Sequence, residues 1–483
     1  MRQWESDMVY DISAKTLDEI FDIPSRSLSI GYGIGGNIIF QKRDDVLLSY
    51  DVFYPDDAES TYETTSFTNV TISADEFLSE FYDGYVQNPP TGITVTKTSL
   101  GKDSTGTYDI YEYDFNPITA KRKIMLVSGE HAYESTAQFG LAHLIKHIYT
   151  DLGNSAFEYI RKYVRVKVVP IMNPWGVNQS PRAYGVYRQS MDSSYYFTRD
   201  GKSVCGGINP ERNFTYNGLW EMFSSSHDGG TAGDPWNKKG DYPFQTAETR
   251  IYARWCMNNQ DADFIINCHT GEDSTQQDIW IDYMSDSVLL PAILEAVRKN
   301  EEKFREKFNR EPNTELTGTA YPNSTGYGMH GAWNMFCIRF TGITMEQAPK
   351  NTVIGNGKNN GAGAINNYAS VTATYIMEFL LNKYQYIYDD LLHPNNKVPI
   401  RLVSSRDIEI KSNEYTATIS LLVTPNNTTQ FTFDWVSSDT SVCEVWGCTE
   451  QAVLVKRGTG TAVITATNRI NQSITTYFTV TCN

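Results

Sequence analysis

The spacing of apolar and polar residues divides the chain into three regions. Between about residues 76 and 392, apolar runs of strand length alternate with amphipathic stretches of helix length. This alternation is typical of an α/β domain with a mixed, mostly parallel sheet flanked by helices. The pattern predicts strands at Asp109–Phe115, Ile124–Val127, Val164–Ile171, Phe264–Cys268 and Gly342–Met345, and helices at Thr136–Leu152, Thr246–Asn258, Leu289–Phe308 and Ile365–Lys383.

The two ends of the chain have a different pattern. Residues 1–75 contain short apolar runs separated by Gly and Asp, which predicts a small β-rich segment that could serve for attachment. Residues 391–399 carry two prolines and two asparagines and are typical of a linker. Residues 400–483 are rich in Thr, Ser and Val and predict a β-sandwich. The predicted regions are therefore 1–75, 76–392 and 400–483.

Charge and hydropathy exclude several classes of partner. The net charge of −16 excludes nucleic acid, because affinity for phosphates depends on Lys and Arg. No apolar run approaches the length of about 18 residues that a membrane span needs. The first residues include Glu5, Asp7 and Asp11 where a signal peptide needs an apolar core, so none is predicted. Two locations stay open, a virion or the extracellular space reached by an unusual route.

The seven cysteines show no paired spacing, which favours reduced thiols over a disulfide framework. Cys443 and Cys448 lie close together in the predicted sandwich, and their pairing stays open.

Candidate metal ligands follow two of the predicted strands. His131 and Glu134 lie on a turn after one strand, and His269 ends another. Functional groups collect at the carboxyl ends of strands in open α/β sheets. Two histidines and one glutamate, with a fourth position open to water, form a catalytic zinc shell, whereas structural sites are closed and rich in Cys. We predict one zinc ion per chain.

Two further charged residues suit hydrolysis at such a site. Glu346 ends a third strand at the same edge, where its carboxylate could accept a proton from a water that the metal activates. Arg212 lies in the segment 207–214 and could bind a substrate carboxylate through two parallel hydrogen bonds.

The order of these motifs resembles the zinc metallocarboxypeptidases of the carboxypeptidase A type. The resemblance covers about residues 76–380, and the separations also agree: 135 residues (269 − 134) lie between ligands and 77 (346 − 269) between the last ligand and the base. The motifs are His131-x-x-Glu134, Asn173-Pro174-x-Gly176, Arg212-Asn213-Phe214, the strand-terminal His269 and Thr344-x-Glu346.

The resemblance implies a role for each matching residue. His131, Glu134 and His269 correspond to the zinc ligands, and Glu346 corresponds to the general base. Arg212 corresponds to the arginine that binds the terminal carboxylate of the substrate, and Asn213 beside it is included in the substrate site. The resemblance also implies an arginine that polarises the scissile carbonyl and a tyrosine that closes over the substrate. The candidates are Arg182, with Arg188 as the alternative, and Tyr327, with Tyr321 as the alternative.

The chain departs from the family pattern in two places. Glu211 occupies the position where the family has an Asn that helps to bind the terminal carboxylate, and its charge would repel that group. An insertion, Ser190–Cys205, separates the candidate carbonyl-polarising arginines from Arg212. Both departures bear on substrate specificity and leave the metal chemistry untouched.

The C-terminal region resembles the bacterial immunoglobulin-like modules of adhesins and phage structural proteins, through Phe433–Val442 and Lys456–Thr467. Such modules bind or space other domains. Two hypotheses follow. The chain is a zinc peptidase that cleaves near a free carboxylate, with bacterial cell-wall peptides as one substrate class. Alternatively, it is a structural or adhesive component of a phage particle that carries the peptidase fold as a module and assembles through its N-terminal segment.

A second pair of histidines, His143 and His147, lies four residues apart on a predicted helix. The pair is either a metal pair or a set of packing and solvated side chains, and the sequence favours packing.

Overall fold

The computed structural model describes most of the region from residue 72 onward and two short segments before it. The described residues are 38–42, 52–57, 72–132, 134–179, 190–199, 202–215, 219–222, 238–270, 278–284, 290–319, 333–334, 337, 342–346, 361–381, 384–388, 401–403, 407–424 and 432–483.

An eight-stranded mixed sheet forms the centre of the molecule. The strands, in spatial order, are β10 (Thr314–Thr319), β9 (Ile279–Met284), β11 (Gly342–Glu346), β8 (Phe264–His269), β4 (Arg122–Ser128), β5 (Val164–Val169), β3 (Asp109–Pro117) and β2 (Ile93–Lys102). Four of the seven strand pairs are parallel, and the pairs β9–β11, β3–β5 and β2–β3 are antiparallel.

Nine α-helices accompany the strands within the described residues. They are α1 (Ala74–Phe81), α2 (Asp83–Gln87), α3 (Ser135–Thr150), α4 (Ser155–Tyr163), α5 (Pro174–Val177), α6 (Leu219–Met222), α7 (Ala247–Asn258), α8 (Leu290–Phe308) and α9 (Gly361–Leu381). The predicted α/β class is confirmed, and the nine predicted elements all occur with ends shifted by a few residues.

Capping side chains set the starts of several helices. Ser73 accepts a hydrogen bond from the Glu76 N–H, and the Glu76 carboxylate accepts one from the Ser73 N–H, which forms a capping box. Asn154 and Thr246 cap the helices α4 and α7 in the same way with a side-chain oxygen. The local sequence therefore determines where these helices begin.

The two inner strands β4 and β8 are apolar over most of their length because both faces of the sheet are covered, with the buried Asn267 as a polar exception inside β8. Ile124 and Leu126 belong to one apolar cluster, with residues from α3 and α9. Met125 and Val127, which alternate with them, belong to the second cluster on the opposite face.

The C-terminal region is β-rich, as predicted, and three groups of strands make it up. A four-stranded sheet and a three-stranded sheet share one apolar cluster. The four-stranded sheet contains β14 (Ile408–Ile410), β21 (Thr475–Cys482), β20 (Gly460–Asn468) and β17 (Phe433–Ser437); the three-stranded sheet contains β15 (Thr416–Ser420), β19 (Gln451–Lys456) and β18 (Cys443–Gly447); β13 (Arg401–Val403) pairs with β16 (Leu422–Thr424).

This β-rich region packs directly on the second face of the central sheet. Trp446 stacks on Phe244 with ring centroids 4.7 Å apart, and both belong to the second apolar cluster. Arg457 Nη2 donates to the Pro243 carbonyl at 3.1 Å, and Gln260 Nε2 donates to the Cys448 carbonyl at 2.9 Å. The C-terminal region therefore completes a core that the central sheet begins, and the predicted division into regions stays a prediction.

The open pairing of Cys443 with Cys448 is wrong. Both are free thiols: Cys443 begins β18 and Cys448 follows its last residue, and an extended strand separates residues by about 3.3 Å each. Cys443 instead lies beside Cys482, and Cys448 lies beside Cys337. The six cysteines that the structure describes are buried thiols, as the sequence predicts.

Two smaller pairs of strands lie outside these sheets. β1 (Ile38–Lys42) pairs antiparallel with β12 (Tyr384–Tyr388), and β6 (Ser190–Arg199) pairs antiparallel with β7 (Lys202–Ile208). The hairpin β6–β7 contains the predicted insertion. Most of the predicted N-terminal segment lies outside the described residues. None of the described helices is long and apolar enough to cross a membrane.

Candidate metal centre

The candidate residues meet at the carboxyl edge of three neighbouring strands. In the parallel register of the sheet, Ser128 at the end of β4 lies opposite Cys268, next to His269 at the end of β8. Glu346, the last residue of β11, lies opposite His269 itself. The order of the strands therefore brings three segments that are far apart in the sequence to one place.

The turn after β4 requires glycine. Gly129 has a φ of +67°, and a Cβ at this position would lie 3.1 Å from the Ile171 Cα. The turn is fastened to the chain after β5, because the Met172 N–H donates to the Ser128 carbonyl and the Asn173 N–H donates to the Gly129 carbonyl. This close contact fixes the backbone two residues before His131.

The start of α3 fixes Glu134 relative to His269. Glu134 is the residue that precedes the first turn of α3, where the positive end of the helix dipole favours an anion. The Thr270 N–H donates to Glu134 Oε2 at 3.1 Å, and Thr270 Oγ1 accepts a hydrogen bond from the Ala137 N–H at 3.0 Å. The residue after His269 is thus docked onto the first turn of the helix that follows Glu134.

Three donor atoms converge at this point, and we call the residues that carry them the edge cluster: His131, Glu134 and His269. His131 Nδ1 lies 2.7 Å from Glu134 Oε1, and His269 Nδ1 lies 2.9 Å from Glu134 Oε2. The two Nδ1 atoms are 3.2 Å apart. All three residues are buried, with at most 3% of each exposed.

The other ring nitrogen of each histidine faces an oxygen acceptor. His131 Nε2 lies 3.1 Å from Asn209 Oδ1, which also accepts from the Glu211 N–H, so the orientation of this amide is determined. His269 Nε2 lies 3.2 Å from Glu130 Oε2, which accepts a further hydrogen bond from Asn267 Nδ2. Each Nε2 therefore carries the proton of a neutral imidazole.

This tautomer leaves both Nδ1 lone pairs pointing at each other and at the Glu134 carboxylate. Burial raises the pKa of Glu134, whereas the charge and hydrogen bonds of protonated His131 and His269 lower it to about 2; with both imidazoles neutral, a cation has to supply that positive charge. Glu134 is thus an anion at neutral pH. Three electron-pair donors that face one another in a buried space need a cation between them.

The donor set fits zinc. Two imidazole nitrogens and one carboxylate oxygen, within 4.8 Å of one another, are the three-ligand set of catalytic zinc sites. Hydrogen bonds from the outer ring nitrogens to Glu130 and Asn209 orient the ligands in the way that outer partners do at metal sites.

Arg212 and Glu211 form a buried ion pair beside the edge cluster. Arg212 Nη1 lies 2.5 Å from Glu211 Oε2, and Glu211 Oε2 lies 3.5 Å from His131 Nε2. Both residues are buried, at the start of a short 3₁₀ turn that Asn209 caps. The charge of Glu211, which the sequence predicts to repel a substrate carboxylate, is thus directed at Arg212.

The side chain of Asn213, the residue after Arg212, holds the loop 239–245 in place. Its Oδ1 accepts from the Gln245 N–H at 2.6 Å, and its Nδ2 donates to the Lys239 and Tyr242 carbonyls. This loop includes Phe244, which has a φ of +54° and is covered by Trp446 of the C-terminal region. The substrate-binding role expected of Asn213 stays a prediction.

The remaining predicted residues are only partly placed. The backbone of Glu346 is described by its register with His269. Arg182, Arg188, Tyr327 and Tyr321 lie outside the described residues.

Sequence reasoning missed the residues that orient the ligands. Glu130 and Asn209 bond the outer ring nitrogens, and Asn267 bonds Glu130. Glu130 directly precedes His131, and Asn267 lies two residues before His269 on β8. The sequence contains a signal for them: a polar residue near the end of an apolar, buried strand needs a hydrogen-bond partner.

Comparison with known proteins decides the family. A model of the zinc carboxypeptidase family matches residues 87–351, which is more than half of the chain. The chain belongs to the zinc carboxypeptidase family. The family uses zinc, and the edge cluster is the His/Glu/His site that could hold a metal in this member.

Two curated fungal relatives are similar to parts of this zinc carboxypeptidase. One is the inactive metallocarboxypeptidase ecm14 of Talaromyces stipitatus, 31% identical over 143 residues, which are 29% of this chain and 22% of the relative. The other is the inactive metallocarboxypeptidase ecm14 of Talaromyces marneffei, 28% identical over 160 residues, which are 30% of this chain and 23% of the relative. The match thus spans less than a quarter of the length of either relative.

Solved carboxypeptidase structures are also similar to the chain. Carboxypeptidase A from Helicoverpa armigera has a TM-score of 0.47 and 16% identity, over 66% of this chain and 78% of that one. A metallo-carboxypeptidase from Burkholderia cenocepacia has a TM-score of 0.40 and 16% identity, over 64% of this chain and 70% of that one.

Proposed function

We propose that this zinc carboxypeptidase family member is an active peptidase, that His131, Glu134 and His269 hold one zinc ion, and that Glu346 is the general base. One observation carries the proposal. Both Nδ1 atoms and the Glu134 carboxylate converge on one buried point, while both Nε2 atoms are engaged by Asn209 and Glu130. Zinc held there would act as a Lewis acid and lower the pKa of a coordinated water.

Residues of the chain would transfer the proton and orient the zinc ligands. Glu346, in register with His269, would take a proton from the attacking water and return it to the nitrogen of the leaving amine. Glu130 and Asn209 would keep both imidazoles in the tautomer that presents Nδ1. The burial of the edge cluster strengthens each of these electrostatic interactions by excluding water.

The substrate would be a peptide with a free carboxylate near the cleaved bond, and bacterial cell-wall peptides are one such class. Arg212 would bind that carboxylate, and it would do so in competition with Glu211, which lies 2.5 Å from it. A substrate that also presents a cationic or amino group would satisfy Glu211 and release Arg212 for the carboxylate. The Glu211–Arg212 pair therefore favours such substrates over simple peptides.

The names of the curated relatives support a second candidate, a chain that binds zinc without hydrolysis. The glutamate at position 346, in register with His269, argues for activity. For the C-terminal region we propose an immunoglobulin-like β-sandwich that supports the Phe244 loop through Trp446. The phage-particle function expected from the sequence stays a prediction.

A zinc-restored digestion separates the two candidates. The full chain is stripped with a chelator, reloaded with zinc, and incubated with simple peptides, cell-wall peptide fragments, and the same peptides with amidated C-termini. We expect the wild type to release products from peptides with a free carboxylate in a zinc-dependent reaction. We expect the Glu346→Gln variant to bind zinc but to release products far more slowly. The inactive candidate would be favoured if the wild type binds zinc at the edge cluster but cleaves none of these substrates. The His269→Ala variant, which should lose that ion, shows that the zinc is bound at the edge cluster.

A further inference from the structure

A second group of metal-binding side chains lies further along α3, and we call it the helix cluster: Asp57, His143 and His147. The two histidines are one helical turn apart and on the same side of α3. Asp57 comes from the segment 52–57, which lies 86 residues before His143 in the sequence (143 − 57). His143 and His147 stand about 12–18 Å along the helix from its first residue, at 1.5 Å per residue, so the two clusters are separate.

The geometry of the helix cluster is that of a three-ligand zinc site. His147 Nε2 lies 2.8 Å and His143 Nε2 lies 3.2 Å from the same atom, Asp57 Oδ1. The imidazole rings are nearly perpendicular, with centroids 4.6 Å apart. Ligand atoms of a tetrahedral zinc site with bonds of about 2.0–2.1 Å lie roughly 3.3 Å apart, which small movements of these three atoms would reach.

His143 provides the observation that points to a ligand. It is 9% exposed, and its Nε2 makes no hydrogen bond of acceptable geometry with any described residue, although Asp57 Oδ1 is near. The ring also forms a hydrogen bond with the side chain of Asn366. A buried imidazole whose Nε2 faces a carboxylate without a hydrogen bond of good geometry is placed to bind a metal.

A cluster without metal explains only part of this arrangement. An ordinary hydrogen bond joins His147 to Asp57, and Lys146 Nζ lies 3.3 Å from Asp57 Oδ2. Lys146 thus occupies the other carboxylate oxygen and leaves Oδ1 directed at both imidazoles. Without a metal, the buried His143 Nε2 has no hydrogen bond of good geometry with a described residue, which costs free energy.

We propose that Asp57, His143 and His147 bind a second divalent transition-metal ion, Zn²⁺ in the first instance, with solvent at the fourth position. Asp57 is 48% exposed, so the position is open to water. The ion would fasten the segment 52–57 to α3. That segment is already docked through Phe53, whose ring lies 4.8 Å from the His147 ring and whose carbonyl accepts from Ser370 Oγ. This site does not depend on the proposed peptidase activity.

Zinc stoichiometry tests the proposal. The full chain is stripped with a chelator, dialysed against Zn²⁺ alone, and analysed for bound metal by mass spectrometry. We expect two ions per chain in the wild type and one in His143→Gln/His147→Gln, with peptidase turnover retained. His269→Ala should also hold one, at the helix cluster. Asp57→Asn, a change at a half-exposed residue that leaves the core intact, should weaken the second binding step by at least about 10-fold.

Asp56→Asn is the matched control, because Asp56 is 85% exposed and faces only Lys307 at 3.6 Å among the described residues. It should bind zinc as the wild type does. Equal zinc binding by Asp57→Asn, His143→Gln/His147→Gln and the wild type would overturn the proposal. If the wild type binds two zinc ions and His269→Ala binds fewer, the missing ion belongs to the edge cluster. The two proposals can therefore fail separately.

Discussion

The edge cluster and the helix cluster offer the same set of donors, two imidazoles and one carboxylate, but they are built differently. In the edge cluster, the ligands come from the ends of β4 and β8 and the start of α3, and all three are buried. In the helix cluster, both histidines come from one turn of α3, and the carboxylate comes from a segment that precedes the central sheet. Asp57 is half-exposed, whereas Glu134 is almost fully buried.

The difference shows what a reactive site requires beyond its ligands. The sheet register fixes the edge cluster before any metal arrives, and Glu130 and Asn209 fix the tautomer of each imidazole. Glu346 reaches the same edge through β11. Among the described residues near the helix cluster, no carboxylate other than Asp57 is placed within ion-pair distance of its histidines. We therefore expect chemistry at the edge cluster and only metal binding at the helix cluster.

Removal of one ligand from the edge cluster should have the largest effect. His269→Ala leaves two ligands, which cannot hold zinc with useful affinity, so this ion and all zinc-dependent turnover should be lost. Metal analysis and a peptide digest measure both quantities. Turnover at the wild-type rate in this variant would show that the edge cluster is not the reactive site.

Removal of the proposed base should separate chemistry from binding. Glu346→Gln keeps the shape of the side chain and should retain both zinc ions. Turnover should fall on the order of 10²–10⁴-fold, as is typical when a general acid–base group is lost. Single-turnover kinetics with metal analysis on the same sample measures the effect. A zinc-loaded variant with unchanged turnover would contradict the mechanism.

Loss of charge at Glu130 should weaken the edge cluster and spare the helix cluster. Glu130→Gln keeps an oxygen near His269 Nε2 but removes the negative charge that raises the basicity of the ring. Zinc affinity at the edge cluster should fall about 10- to 100-fold, the usual effect of changing such a partner. Competition with a chromogenic chelator measures both affinities. A parallel loss of affinity at both clusters would indicate a general effect on folding.

The smallest expected change concerns specificity. Glu211→Asn removes a charged partner of a buried guanidinium, so stability should fall by about 3 kcal/mol. Turnover of simple peptides with a free C-terminus should rise, because Arg212 no longer has a competing carboxylate. Thermal unfolding and steady-state kinetics measure the two effects. If cleavage of cell-wall fragments is abolished instead, Glu211 contacts a cationic group of the true substrate.

Local patterns in the sequence predict the elements that position the edge cluster. β4 and β8 are mainly apolar; the first is followed by the motif with His131 and Glu134, the second ends in His269, and parallel strands bring their carboxyl ends together. The strand pattern, the charges and the family resemblance all indicate Glu346 and Arg212; the described backbone has Glu346 in register with His269 and Arg212 in a short 3₁₀ turn, and their roles stay predictions.

Contacts between distant segments could not be predicted in this way. Nothing in the local pattern shows that Asp57 lies against His143 or that Trp446 covers Phe244. Each of these contacts depends on how complete elements pack against one another. The amphipathic pattern of α3 favours a packing role for His143 and His147, because the pattern contains no information about the segment that covers them.

Anomalous diffraction from zinc-loaded crystals of the full chain tests the central claim most directly. Data on both sides of the zinc absorption edge locate the metal without reference to activity. We expect a peak between His131 Nδ1, His269 Nδ1 and the Glu134 carboxylate, with the Nε2 atoms still bonded to Asn209 and Glu130. Fully loaded crystals with no peak at the edge cluster, or with a peak on the Nε2 side of either ring, would contradict it.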